Sequence, residues 1–365
     1  MLKKFEVKGF KNFKNNITLD FSDVRDYKFN RQCVSDNILS KIIIYGKNTV
    51  GKTNLGLAVF DIVSHLTAKH ITPHLYDYYI NADLTDGIAS FAYEFQFGND
   101  LIDYKYEKDS KQQLVFEELK LNNTLIFSYD YKENSGNIEE LNEIAPTLNW
   151  AYNDVDSILK YVMNNTVLEK THPLSKMMEF ITNMLWFRSL DDNRYIGYKN
   201  KSDDYFEFIF EEDALEEFEK FLHKAGVKED LVVNKDIDGV RRLYFNKAVP
   251  LPFFKAASSG TKALYTFFYW YKTAHNVSLM FIDEFDAFYH FELAEVIVDI
   301  VEKMKNTQVI LTSHNTNLLS NKIMRPDCYF IMTDEKITSF ANATARELRE
   351  GHNLGKLYMS GEFGE

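Results

Sequence analysis

The run KIIIY at 41–45, followed at once by GKNTVGKT at 46–53, constrains this chain more than any other feature. A compact β-branched run of this kind suits a strand buried on both faces, and it stops abruptly at Gly46. After Thr53, apolar residues at Leu55, Val59, Ile62, Val63 and Leu66 fall at helical spacing, which predicts a helix from Asn54 to about Ala68. Strand, glycine turn and helix in that order fit G-x-x-x-x-G-K-[ST], a loop whose backbone N–H groups cradle phosphate oxygens. Gly46 and Gly51 allow the curl, and Lys47, Asn48, Thr49 and Asn54 complete the loop and the first helical turn. Lys52 supplies a point charge for the β- and γ-phosphates, and the Thr53 hydroxyl is suited to ligate Mg²⁺. The helix N-terminus adds the positive end of its dipole. The competing reading is a chance glycine turn with an exposed lysine, and the flanking strand and helix weigh against it.

A second apolar run, LMFIDEF at 279–285, carries two acids out of a predicted strand. Its carboxyl end is where ligands bind in open α/β sheets. There Asp283 would hold the metal and Glu284 would orient or deprotonate a water, which requires a carboxylate within about 3 Å of it. Alone, the pair reads equally well as a helix cap or a solvated strand end. The third run, VILTSHN at 309–315, ends in His314, whose neutral imidazole could meet a terminal phosphate or the water. A lone histidine is usually structural, so this assignment depends on the other two motifs.

The remaining chain sorts by periodicity. Leu2–Phe10 and Ile17–Phe21 alternate as short strands, and the stretch from Ile88 to Asp130 reads as an antiparallel meander with turns at GND and LNN. Helical spacing returns from Asn153 to Phe187, Leu190–Lys201 reads as a loop or lid, and Phe206–Lys224 reads as a helix. Leu231–Phe245 reads as a hairpin about the Asp236–Gly239 turn. The C-terminal part alternates: helix 261–273, strand 279–282, helix 291–305, strand 308–312, helix 316–321 and strand 328–332. Strands alternating with helices imply a parallel sheet with helical crossovers.

Bulk properties narrow the partners. A net charge of −12 argues against a chain that coats nucleic acid nonspecifically, although a local basic patch stays open. The 22 Tyr and 30 Phe are expected mostly in packing, with a base-stacking surface as the lesser reading. Cys33 and Cys328 stand far apart in sequence without metal-ligand spacing, the N-terminus alternates where a signal peptide would run apolar, and no membrane-spanning run is present. A cytoplasmic location is expected.

Taken together, the P-loop, ASSGTK at 257–262, IDEF at 282–285 and TSH at 312–314 resemble the ABC-type ATPases. FEVKGFKNFKN and the Lys52-Thr53-Asn54 ending are similar to the SMC/RecF/OLD branch, which acts on DNA or in phage defence. The resemblance covers roughly 1–130 and 250–365. It implies that amides at Ser258 and Gly260 reach a γ-phosphate held by a partner's P-loop, although Ser259 stands where a second glycine is common and Thr261 replaces the usual glutamine. A Ser-Gly helix cap is the alternative reading of that loop. Asp286 and His290 are similar to the aspartate-then-histidine pattern of the OLD-like branch. The tail HNLGKLYMSGEFG at 352–364 resembles the small ATPases of abortive-infection and anti-phage operons, of AbiL type and of the AriA type found in PARIS, and is expected to dock as an amphipathic end. A γ-phosphate-sensing glutamine is not evident; Gln96 and Asn81 are the weak candidates. Only about 50 residues follow His314, too few for an OLD-type nuclease, so any nuclease or toxin activity is expected in a partner.

The expected fold is α/β: an ABC-type P-loop ATPase head with an N-terminal antiparallel meander and an inserted, mainly helical lobe. The expected divisions are 1–150, the lobe at 151–250, and 251–365 with signature loop, Walker B acids and His switch. The expected function is ATP binding and hydrolysis with Mg²⁺ by a homodimer or higher homo-oligomer with composite sites, gating a separate anti-phage effector. The alternatives are a RecF-like repair ATPase on DNA, or an ATP-dependent assembly scaffold with little turnover.

Overall fold

The computed structural model describes residues 1–148, 157–189, 193–200, 204–211, 213–288 and 291–364. Lys41–Tyr45 is a strand buried along its whole length, as its β-branched run requires. It lies inside a seven-stranded sheet of order Tyr195–Gly197, Leu185–Arg188, Leu279–Asp283, Gln308–Ser313, Lys41–Tyr45, Tyr329–Met332, Ile337–Ser339. The five inner strands run parallel, and each edge strand is antiparallel to its neighbour. The carboxyl ends of Lys41–Tyr45, Leu279–Asp283 and Gln308–Ser313 therefore meet at one edge, and each delivers one of the three motifs.

The second sheet is antiparallel and also has seven strands: Ser135–Asn137, Thr124–Asp130, Leu114–Leu121, Asp100–Lys108, Ala89–Phe97, Leu2–Lys8 and Ile17–Asp20. Alternation along Ala89–Phe97 buries Phe91, Tyr93 and Phe95 on one face. The two sheets are tied by Gln308, whose Oε1 accepts from Leu2 N at 3.1 Å while its Nε2 donates to Leu2 O at 2.9 Å.

Beneath the antiparallel sheet the tyrosines serve buried acids. Asp61 accepts from Tyr79 and Tyr106, each at 2.8 Å, and pairs with Lys108 at 2.6 Å. Glu117 accepts from Tyr104, Ser157 and the amides of Ile158 and Leu159, so that it caps the Ile158–Asn165 helix. These rings are committed to the core and not to a stacking surface.

Several local expectations change. The helix expected over 54–68 is two short helices, Lys52–Val59 and Asp61–Leu66, because the chain turns at Phe60 and sends Asp61 inward to its tyrosines and Lys108. The helical spacing expected up to Phe187 ends at Thr182, and Leu185–Arg188 is a strand that pairs with Leu279–Asp283. Tyr195–Gly197, inside the expected loop, is that strand's antiparallel neighbour. The stretch at 206–224 is a 3₁₀ turn followed by a helix at Ala214–Lys224, and 316–321 carries only the 3₁₀ turn Thr316–Leu318. Between 157 and 252 the helices are thus accompanied by the central-sheet strands and by a three-stranded sheet at Leu231–Lys235, Arg241–Phe245 and Leu251–Pro252.

The tail docks. Phe340 packs on Tyr358 and on Phe363, Leu354 is buried, and Gly355 N donates to Leu319 O at 3.1 Å. Cys33 and Cys328, distant in sequence, become neighbours in the core, where burial first and Cys33 second push the Cys328 thiol up.

Candidate functional site

The loop after Lys41–Tyr45 keeps Lys47, Asn48 and Thr49 at the surface while Gly46 and Val50 turn inward. Gly46 lies so close to the neighbouring strand that a Cβ there would meet Met332 O at 2.6 Å. Gly51, at φ 103°, caps the Lys52–Val59 helix in the left-handed region that glycine tolerates. Lys52 is buried and folds back over the loop, with Nζ donating to Gly46 O at 2.8 Å and to Lys47 O at 3.1 Å.

Asn12 buttresses this loop, although no role was expected of it. Its Nδ2 donates to Val50 O at 3.0 Å, its Oδ1 accepts from Asn54 at 2.7 Å, and its amide lies against Gly51. Its only signal was membership of the KGFKNF segment.

Thr53 Oγ1 donates to Asp283 Oδ2 at 2.7 Å, joining residues 230 positions apart. Asp283 is fully buried, and its other oxygen accepts from Thr312 at 2.9 Å. Burial pushes the Asp283 carboxyl up, while hydrogen bonds from Thr53 and Thr312 and the charge of Arg188 pull it back. Glu284 is partly exposed in the left-handed region at φ 49°, and its amide donates to the Thr312 hydroxyl at 2.7 Å. Its carboxylate accepts from Arg188 Nη2 at 2.8 Å. Arg188 and Thr312 escaped sequence reasoning. Arg188 sits just past a segment expected to be helical, and Thr312 is indistinguishable by pattern from any other threonine of a buried strand.

Asp286 is buried and accepts from Ser313 Oγ at 2.6 Å; burial pushes it up to about 6. His314 stands exposed at the end of Gln308–Ser313. Partial desolvation of its ring and then the charge of Lys52 lower its pKa, against the opposing pull of Glu284, which favours the neutral imidazole near pH 7. His290 lies outside the described residues.

The other candidates stand differently. Ser258 is the N-cap of the Ser259–Thr273 helix, accepting from Thr261 N at 3.1 Å, and a Cβ on Gly260 would meet Phe288 O at 2.9 Å. Ser258 thus caps this helix, and Gly260 packs against the segment that follows Asp286. Neither weak glutamine substitute belongs to the site. Gln96 sits at the end of a hairpin strand with its amide on Gly98 O, and Asn81 is spent on Lys11 O and Asp83 N. Gln96 is held within its own hairpin, whereas Asn81 is tied to the Lys11 backbone 70 positions away.

The donor set fits a magnesium ion: Thr53 and Asp283 present hard oxygens at hydrogen-bond distance from one another. Among the described residues no group of three or more His, Cys, Asp or Glu could cage a metal alone. A magnesium ion takes most of its ligands from water and substrate phosphates. Around it, a buried lysine, a helix N-terminus, a strand-end carboxylate and a neutral histidine form an arrangement able to bind a polyphosphate and direct a water.

A family model described as "AAA domain, putative AbiEii toxin, Type IV TA system" matches residues 41–320, well over half of the 365-residue chain. The comparison with curated proteins returned no match. Among solved structures the chain is similar to an SmcHead bound to the C-winged helix domain of ScpA, with 15% identity, TM-score 0.45, and coverage of 93% of this chain and 97% of the other. It is also similar to the SMC head domain from Thermotoga maritima, with 14% identity, TM-score 0.43, and coverage of 93% and 98%. A third likeness is to an Smc head domain with an extended coiled coil bound to the C-terminal domain of ScpA derived from Pyrococcus furiosus, with 13% identity, TM-score 0.42, and coverage of 93% and 96%.

Proposed function

The chain belongs to this AAA-domain family, and on that premise we propose that it binds and hydrolyses ATP with Mg²⁺, as the nucleotide-driven subunit of an anti-phage system that controls a separate effector. The observation that carries the ATPase reading is the 2.7 Å bond from Thr53 to Asp283, which closes the phosphate loop onto the acid-bearing strand.

In this reading the amides of Gly46 to Thr53, with Lys47, Asn48, Thr49 and Asn54 on the loop and first turn, cradle the phosphates, and Lys52 moves from its two carbonyls to the β- and γ-oxygens. Thr53 and Asp283 would hold the metal, which supplies charge neutralisation on the phosphates when bound. Glu284 takes the proton of the attacking water or orients it, and His314 meets the γ-phosphate as a neutral donor. Ser258 and Gly260, at a helix N-terminus, complete the site of a second copy.

The defence role draws on the family description, which names a toxin of a type IV toxin–antitoxin system, and on the tail that resembles the AbiL and AriA types. We place the chain in the cytoplasm, where ATP is available and its two free cysteines would stay reduced. No helix among the described residues is long and apolar enough to cross a membrane. The test is phosphate release by the purified chain. Lys52→Ala is expected to abolish ATP binding, and Glu284→Gln to keep binding while slowing release by about 10²–10⁴-fold. Turnover unchanged in both variants would end the ATPase reading.

A further inference from the structure

Parallel pairing of Leu185–Arg188 with Leu279–Asp283 sets Arg188 opposite Asp283 in register. Its guanidinium thereby reaches the sheet edge where both acids lie. Nη2 donates to Glu284 Oε2 at 2.8 Å, and Nε stands 3.6 Å from Asp283 Oδ2, the oxygen that also accepts from Thr53. Glu284 is held a further time through its backbone, where its amide donates to Thr312, whose hydroxyl in turn donates to Asp283.

Two consequences follow from the chemistry. A glutamate side chain has several rotatable bonds, and a base must lie within about 3 Å of the proton it takes, so a fixed carboxylate is far more effective than a roaming one. A guanidinium bond to Oε2 restricts that freedom. Separately, two adjacent carboxylates, one of them fully buried, need a nearby cation, and arginine is always charged. The same cation repels a divalent ion placed between Thr53 and Asp283.

We propose that Arg188 is a positioning residue of this site: it orients the Glu284 carboxylate toward the attacking water and sets the positive charge against which a divalent ion must bind Asp283. The proposal rests on the ATPase reading for its first half and on charge and distance alone for its second.

The test uses the full chain with Arg188→Gln and Arg188→Lys, each confirmed folded by its melting temperature. Arg188→Gln should lower kcat by about 10–100-fold with KM for ATP changed less than about threefold, because the base is misplaced and the phosphate loop is not. Binding of Mn²⁺ alone, followed by electron paramagnetic resonance without nucleotide, should tighten by about tenfold because a repelling cation is gone. Arg188→Lys should return Mn²⁺ affinity to the parent value yet stay slow, since an ammonium lacks the planar fork that grips a carboxylate. A merely structural arginine would weaken Mn²⁺ and ATP binding together. The proposal is overturned if Arg188→Gln keeps kcat within about twofold of the parent, or if its Mn²⁺ affinity is unchanged or weaker. Lys52→Ala and Glu284→Gln separate the two ideas: turnover unchanged in both removes the ATPase reading, while the Mn²⁺ result still reads the charge of Arg188.

Discussion

Two groups of acidic side chains in this molecule have contrasting settings. Asp61 and Glu117 lie under the antiparallel sheet, each closed in by partners that are themselves core residues: tyrosines, a buried lysine and a helix N-terminus. Asp283 and Glu284 lie at the carboxyl edge of the parallel sheet, among a glycine loop, a folded-back lysine and a partly exposed arginine. Burial is complete for Asp61, Glu117 and Asp283 to within 1% exposure, so burial alone cannot mark the chemistry. What separates the groups is whether the partners can exchange. Lys108 has nowhere to go, whereas Lys52 is held by two loop carbonyls that a phosphate could replace.

The sharpest break between the two groups is expected at Asp283. Asp283→Asn keeps the oxygen that accepts from Thr53 or Thr312 but removes the charge a metal needs. ATP turnover should fall by at least about 10³-fold while stability to urea changes by no more than about 1 kcal/mol. A large loss of stability would place Asp283 with the structural acids. The mirror change is Asp61→Asn, which leaves the buried Lys108 without its counter-charge. It should cost about 3–5 kcal/mol in urea unfolding, with the folded fraction retaining normal ATP affinity. An unchanged unfolding midpoint would show that the tyrosines, and not the ion pair, carry that cluster.

Asp286 sharpens the comparison most finely, since it is buried and yet belongs to the site. Its folded pKa of about 6 lies above the ordinary 3.8, so between those values the folded chain keeps a proton that the unfolded chain has lost. Its contribution is therefore most favourable below about pH 4 and declines as pH rises through about 6. Asp286→Asn removes this decline. It should stabilise the protein by about 1–2 kcal/mol at pH 8, with the gain vanishing near pH 4, as read from urea curves at the two pH values. A gain of equal size at both would mean that ionisation of Asp286 is not its source.

Much of the central sheet was legible from pattern. KIIIY before Gly46, LMFI before Asp283 and VILT before Ser313 are continuous apolar runs, and a strand buried on both faces leaves that mark in any context. The meander was equally plain, because one buried face imposes strict alternation. LWFR at 185–188 was not legible as a strand: four apolar-rich residues after a real helix fit either period, and only pairing with Leu279–Asp283 settles the matter. Asn81 and Gln96 were eligible as phosphate sensors because an amide side chain says nothing of which backbone group will claim it.

The sequence by itself determined the glycine loop between a buried strand and a helix, the acids at a strand end and the histidine at the next, since each is written within a dozen residues and rests on local backbone geometry. Only the tertiary structure decided that Thr53 meets Asp283, that Asn12 props Gly51, that Cys33 lies beside Cys328, and that Arg188 grips Glu284. Those contacts join residues tens to hundreds of positions apart. Strand order and register, which no local periodicity encodes, bring them together.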